Sequence, residues 1–161
     1  MYRSEMICGF YISEPHLTSM LLPYIYKKLK EGKKIETFFE ENLEDIFENI
    51  NMKNTFNREV FKDIDWKKLK QEELSKKFEE DKDIIVVAGK SGFINHINRL
   101  VLNFHTNFTL VNCFNMKDLN NNISEIIEGY SKVLYTSGIE DVDHSYMAWK
   151  KAWTYVSVKS I

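Results

Sequence analysis

The chain lacks an excess of charge of either sign, has almost no cysteine, and carries no long apolar run. Each shortage removes a class of function. Twenty-two basic and 24 acidic residues leave a formal net charge of −2. That balance gives no electrostatic footprint for nucleic acid. The longest apolar run near the N-terminus, Met20–Tyr26, is broken by Pro23 and is far too short to span a bilayer. Two cysteines, Cys8 and Cys113, are too few for a disulfide framework, and both fall inside apolar runs. They read as buried thiols in a reducing cytoplasm, with a disulfide or metal pair as the alternative. The first apolar segment carries Glu5 and no small-residue cleavage site, so a signal peptide is not expected.

Catalytic signatures are also missing. Val86-Val87-Ala88-Gly89-Lys90-Ser91 has the end of a phosphate-binding loop, but the full motif needs a glycine five residues before Gly89, where this chain has Ile84. No predicted strand ends in the acidic residue that would hold magnesium, so nucleotide hydrolysis is not expected. Two glycines beside a helix N-terminus remain able to bind an anion, and more simply make a tight turn. Of the four histidines, His16, His96, His105 and His144, no pair has metal-ligand spacing, and no HExxH pattern occurs. No metal or cofactor is expected. Neither Ser91 nor Ser137 sits in a Gly-x-Ser-x-Gly elbow. The Asn-rich stretch Asn120–Asn122 matches a general bias, fourteen Asn against three Ala, and is given no functional weight.

What is present is alternation. The 43% hydrophobic content and 161 residues suit one folded domain, 1–161, with a proper core. Apolar strands are predicted at Met6–Ile12, Lys34–Phe39, Asp83–Ala88, Phe108–Phe114 and Lys132–Tyr135. Amphipathic helical stretches lie between them. Leu17, Met20, Leu21, Tyr24, Ile25 and Leu29 have the spacing of one buried helical face, capped by Ser13 and kinked at Pro23. Other helices are predicted near Glu41–Ile50, after Lys90, and from Met116 to Gly129. Strand and helix in turn imply an α/β fold, a three-layer αβα sandwich on a mainly parallel sheet of about five strands, Rossmann-like or RecA-like. Between 57 and 83 lie nine acids and eight bases, read as a charged helical insertion at about 57–82, solvated or acting as a lid. The aromatic tail, about 141–161, holds Trp149, Trp153 and Tyr155.

Parallel strands put their carboxyl ends on one edge, where open α/β sheets bind ligands. The turns there supply the candidate ligand-binding residues Tyr11, Ser13, His16, Gly89, Lys90, Ser91, Asn115, Thr136 and Ser137. A small anionic or polar ligand near Lys90 is expected, with Tyr11 and His16 on the opposite wall. For His16 the plainer role is a capping histidine.

Three functions compete on these residues. One is a non-catalytic small-molecule sensing or regulatory domain. Another is an enzyme of unrecognised type that gathers Lys90, Ser91, His16 and Ser137. The third is an interaction module, forming a homodimer or binding a protein partner through the tail from Trp149 to Tyr155. Neither nucleic acid nor a membrane is expected as a partner.

The opening, Ile7-Cys8-Gly9-Phe10-Tyr11-Ile12-Ser13-Glu14 followed by Leu21-Leu22-Pro23-Tyr24-Ile25 and Leu29-Lys30-Glu31-Gly32-Lys33, resembles that of the MEDS family. These are the methanogen/methylotroph sensory domains of bacterial and archaeal regulators. The shared pattern is a strand ending in Phe-Tyr, a small polar turn, a helix with Leu-x-Pro-Tyr-Ile, and a lysine-rich helix end. It covers about forty residues. The resemblance implies a RecA-like α/β sheet and a sensing or signalling role without established catalysis.

Overall fold

The computed structural model describes residues 5–41, 64, 82–104, 107–119 and 123–142. In chain order these form β1 (Glu5–Tyr11), α1 (Glu14–Lys30), β2 (Ile35–Phe39), β3 (Ile84–Gly89), α2 (Ser91–Phe104), β4 (Thr109–Asn115), a 3-10 turn (Met116–Asp118), α3 (Ile123–Ile127), β5 (Lys132–Tyr135) and β6 (Gly138–Asp141). The helix predicted near Glu41–Ile50, the lid reading of the charged insertion and the aromatic tail lie outside the described residues. Of these stretches only Glu41, Ile64, Lys82, Asp141 and Val142 are described, and Ile64 is buried in the core beside α1.

The strands make one six-stranded sheet in the order β2-β3-β4-β1-β5-β6. All pairings are parallel except the last, where β6 folds back antiparallel on β5. The fold is therefore α/β with a mostly parallel sheet, and the five predicted strands are all present, within one residue at either end. The sixth strand was not expected. Gly138-Ile139-Glu140-Asp141 has no apolar run, and each of its residues is exposed. It becomes a strand only by pairing Tyr135 with Gly138 and Leu134 with Ile139.

Why β1, β3 and β4 sit in the middle follows from composition. Strand β3, Ile-Ile-Val-Val-Ala-Gly, is buried at every position. A strand covered on both faces must be apolar without alternation. Its residues divide between two cores. Ile84, Val86 and Ala88 join Ile7, Val111, Cys113 and the α1 side chains Leu17, Met20, Leu21 and Ile25. Ile85 and Val87 join Cys8, Phe10, Leu110, Phe114 and the helical residues Ile94, Ile97, Val101, Ile123 and Ile127.

Cys8 and Cys113 belong to different cores, on opposite faces of the sheet, so the disulfide or metal pair is out; both thiols are free and buried. The end of the Met20 side chain occupies the space over Gly9, where a Cβ would lie 2.7 Å from its Cε.

Helix α1 starts as its sequence suggests. Ser13 is the N-cap, its Oγ accepting from the His16 amide, and Pro15 fits the first turn. It runs uninterrupted through Pro23 to Lys30. The helix predicted from Met116 is instead split. Asn115 accepts from the Lys117 amide at 2.9 Å, closing a 3-10 turn before α3 begins at Ile123. A side chain that caps its own backbone two residues on favours a tight turn over a continuing helix. Among the described residues no helix is long and apolar enough to cross a membrane.

Candidate functional site

The connection leaving β1 and the connection leaving β4 depart in opposite directions. From β1 the chain travels by α1 to β2 at the far edge. From β4 it crosses to β5 on the other side of β1. In open α/β sheets, ligands bind outside the carboxyl ends of adjacent strands whose connections leave in opposite directions. The last residues of those two strands are Tyr11 and Asn115, and they are register partners.

Both side chains converge on one carboxylate. The Tyr11 hydroxyl donates to Glu41 Oε1 at 3.2 Å, and Asn115 Nδ2 donates to the same oxygen at 2.8 Å. Burial, and then the nearby Glu41 charge, raise the Tyr11 hydroxyl well above its ordinary pKa, so it stays a donor. Asn115 is also held from the other side by the Lys117 amide, which fixes which end of its amide faces Glu41.

A second acid lies one residue earlier. Glu40 donates its amide to Ala88 O at 2.9 Å, extending the β2–β3 ladder, and its Oε1 accepts from the Lys90 amide at 2.8 Å. Lys90 immediately precedes α2, so the Glu40 carboxylate sits where the free amides and dipole of a helix N-terminus favour an anion. Gly89 makes this possible, because a Cβ there would lie 2.7 Å from both Glu40 Cβ and Oε1. The anion place beside Gly89-Lys90 is thus filled from within the chain. Strand β2 itself ends at Phe39, and the two acids Glu40 and Glu41 follow it directly.

The predicted residues separate into three groups. Tyr11 and Asn115 meet at the carboxyl ends of β1 and β4, with Gly89 and Lys90 at the end of β3, the next strand beyond β4. The Lys90 side chain is exposed and makes no ion pair among the described residues. Ser13 and His16 serve the start of α1. His16 Nδ1 accepts from the Ile12 amide at 3.1 Å, which makes this nitrogen the unprotonated one, and the ring is buried. Ser91 opens α2 as its first residue. Thr136 and Ser137 form the turn between β5 and β6, and Thr136 faces a different cleft, between that hairpin and α1.

The set proposed for catalysis, Lys90, Ser91, His16 and Ser137, is not one hydrogen-bonded group. Neither the Lys90 ammonium nor the Ser137 hydroxyl bonds to His16 or Ser91. Among the described residues no group of three His, Cys, Asp or Glu side chains is placed to hold a metal ion.

No protein-family model, curated protein or solved structure matches the chain. Its function must be argued from its geometry.

Sequence reading missed Glu40 and Glu41. The available signal was their position, two acids directly after a short apolar strand. Their contacts lie 50 residues away at Lys90 and 74 away at Asn115.

Proposed function

We propose that the chain is a non-catalytic, cytoplasmic sensing or regulatory domain that binds a small polar molecule at the crevice between the carboxyl ends of β1 and β4. The reading includes the three-layer, RecA-like αβα arrangement implied by the MEDS-like opening; the two cores, one with α1 and one with α2 and α3, support it. The observation that carries the function is the shared grip of Tyr11 and Asn115 on Glu41 at the point where the connections diverge. These are directional polar groups at the end of a buried apolar sheet, the setting in which small-molecule sites place their few orienting contacts.

The ligand suited to this place differs from the one the sequence suggested. With Glu40 occupying the anion position and Glu41 at the crevice, a neutral or amine-bearing molecule with hydrogen-bond donors fits better than a phosphate. Lys90 is free to supply one complementary contact from the rim.

A thermal-shift screen of metabolites and nucleotides, followed by titration of the hits, tests the reading. The expected hit loses about tenfold or more in affinity in Tyr11→Phe or Asn115→Ala, the cost of one strong hydrogen bond. A flat profile across a broad library overturns it.

A further inference from the structure

A second cleft, of about 270 Å³, lies between the C-terminal half of α1 and the β5–β6 hairpin. Its walls include Met20, Pro23, Leu134 and Ile139, and its rim carries Lys27 and Lys28. It does not include Tyr11, Asn115 or Glu41, so it is separate from the crevice discussed above.

Among the described residues, three observations point to this cleft as a binding place. Tyr24 forms part of its lining and is 6% exposed, yet its hydroxyl is buried without a hydrogen-bond partner. Such a group left unpaired carries a desolvation penalty that a bound acceptor would relieve. Ile139, the large hydrophobic residue most open to solvent among those described, lines the same cleft at 36% exposure. Lys27 has no carboxylate within ion-pair distance, whereas Lys28 is shared between Glu31 at 3.5 Å and the Tyr24 ring at 5.8 Å.

We infer that this cleft binds a small amphipathic carboxylate. The apolar part would lie along Met20, Leu134 and Ile139. The carboxylate would face Lys27 and accept from the Tyr24 hydroxyl after a small shift of the ring. Charge decides the head group, because the lining contains Lys27 and Lys28 and no acid; Glu31, outside the lining, engages Lys28 and leaves Lys27 as the contact for the carboxylate. The size decides the tail. At about 270 Å³ the cleft is just under the usual range for small-molecule sites, about 300–1,000 Å³, so a short chain or a single ring is favoured.

The test uses the full chain, with octanoate and 3-phenylpropanoate as probes and the corresponding alcohols as uncharged controls. Affinity is read by calorimetry and location by amide chemical shifts. The carboxylates are expected to bind about tenfold more tightly than the alcohols, with shifts centred on Tyr24–Lys28 and Leu134–Ile139, as a charge-assisted contact predicts. Tyr24→Phe should weaken carboxylate binding while leaving the melting temperature equal or higher, because it removes an unpaired buried hydroxyl. Lys27→Gln should weaken binding and flatten its salt dependence.

Equal affinity for acids and alcohols would overturn the proposal, as would no carboxylate binding at millimolar concentration or an unchanged affinity in Tyr24→Phe. Shifts confined to Tyr11–Ser13 and Asn115 would also overturn it while leaving the crevice reading intact.

Discussion

The centre of the sheet and its β5–β6 end are built on different principles. In β1, β3 and β4 the chain uses long apolar strands whose side chains fill two cores. In β6 it uses four exposed residues held by pairing to a single neighbour. The centre is specified by hydrophobic burial and tolerates little change. The hairpin end is specified by backbone pairing and leaves its side chains exposed. The two candidate binding places follow the same division, with the crevice at the rigid centre and the amphipathic cleft beside the exposed hairpin.

Substitution at the centre should have the largest effect. Phe114 is buried, stacks on Phe10 at 5.9 Å and meets Tyr130 edge-on at 6.2 Å. Phe114→Ala is expected to cost about 3–5 kcal/mol in chemical denaturation, from lost burial plus the cavity left behind. A loss below about 1 kcal/mol would mean that the centre repacks freely, and the contrast with the hairpin would fail.

Alkaline pH should come next. Burial pushes the Cys113 thiol from near 9 up to about 12, and Cys8 and Tyr130 are raised by the same cause. The native state therefore holds these protons at a pH where the unfolded chain releases them. Stability present below pH 9 should fall as pH rises from about 9 toward 12. Cys113→Val should make that fall shallower. A thiol reagent at pH 8 should find neither cysteine in the native protein and both after unfolding; fast labelling without denaturant would contradict the central burial.

A smaller effect is expected where β3 ends. Gly89→Ala would press a Cβ against Glu40 and disturb the carboxylate bound to the Lys90 amide. The expected loss is about 1–3 kcal/mol, as for other strained backbone positions. An unchanged melting curve would show that Glu40 moves away without cost, and the filled anion place would no longer argue against a phosphate ligand.

The smallest effect belongs to the hairpin. Ile139→Thr, at an exposed strand position, should change stability by no more than about 0.5 kcal/mol. A loss of several times that size would place Ile139 in a core, against the division between centre and hairpin.

Much of this was legible along the chain. Ile84–Gly89 announces a central strand because a segment covered on both faces reads as a near-continuous apolar run, and Ser13 announces the start of α1 because its oxygen can satisfy an amide three residues on. The hairpin strand was not legible, since Ile139 and Glu140 pair with Leu134 and Val133 through backbone groups that every residue carries. Nor was the break after Asn115. The spacing of Met116, Leu119 and Ile123 suits a continuous helix, but the Asn115 side chain closes a turn instead.

The sequence by itself determined the five parallel strands and the buried face of α1, because periodicity and capping act over a few residues and are written in consecutive positions. The order of the strands was decided only in three dimensions. That order sets Tyr11 beside Asn115 and lets Glu41 reach both. It also turns Glu40 onto the amide before α2 and folds the β5–β6 hairpin against α1 to form the second cleft. These contacts join residues 30 to 74 positions apart, or from opposite ends of the chain. Local periodicity carries no record of such pairings. They arise when the apolar strands find the one arrangement that buries them together.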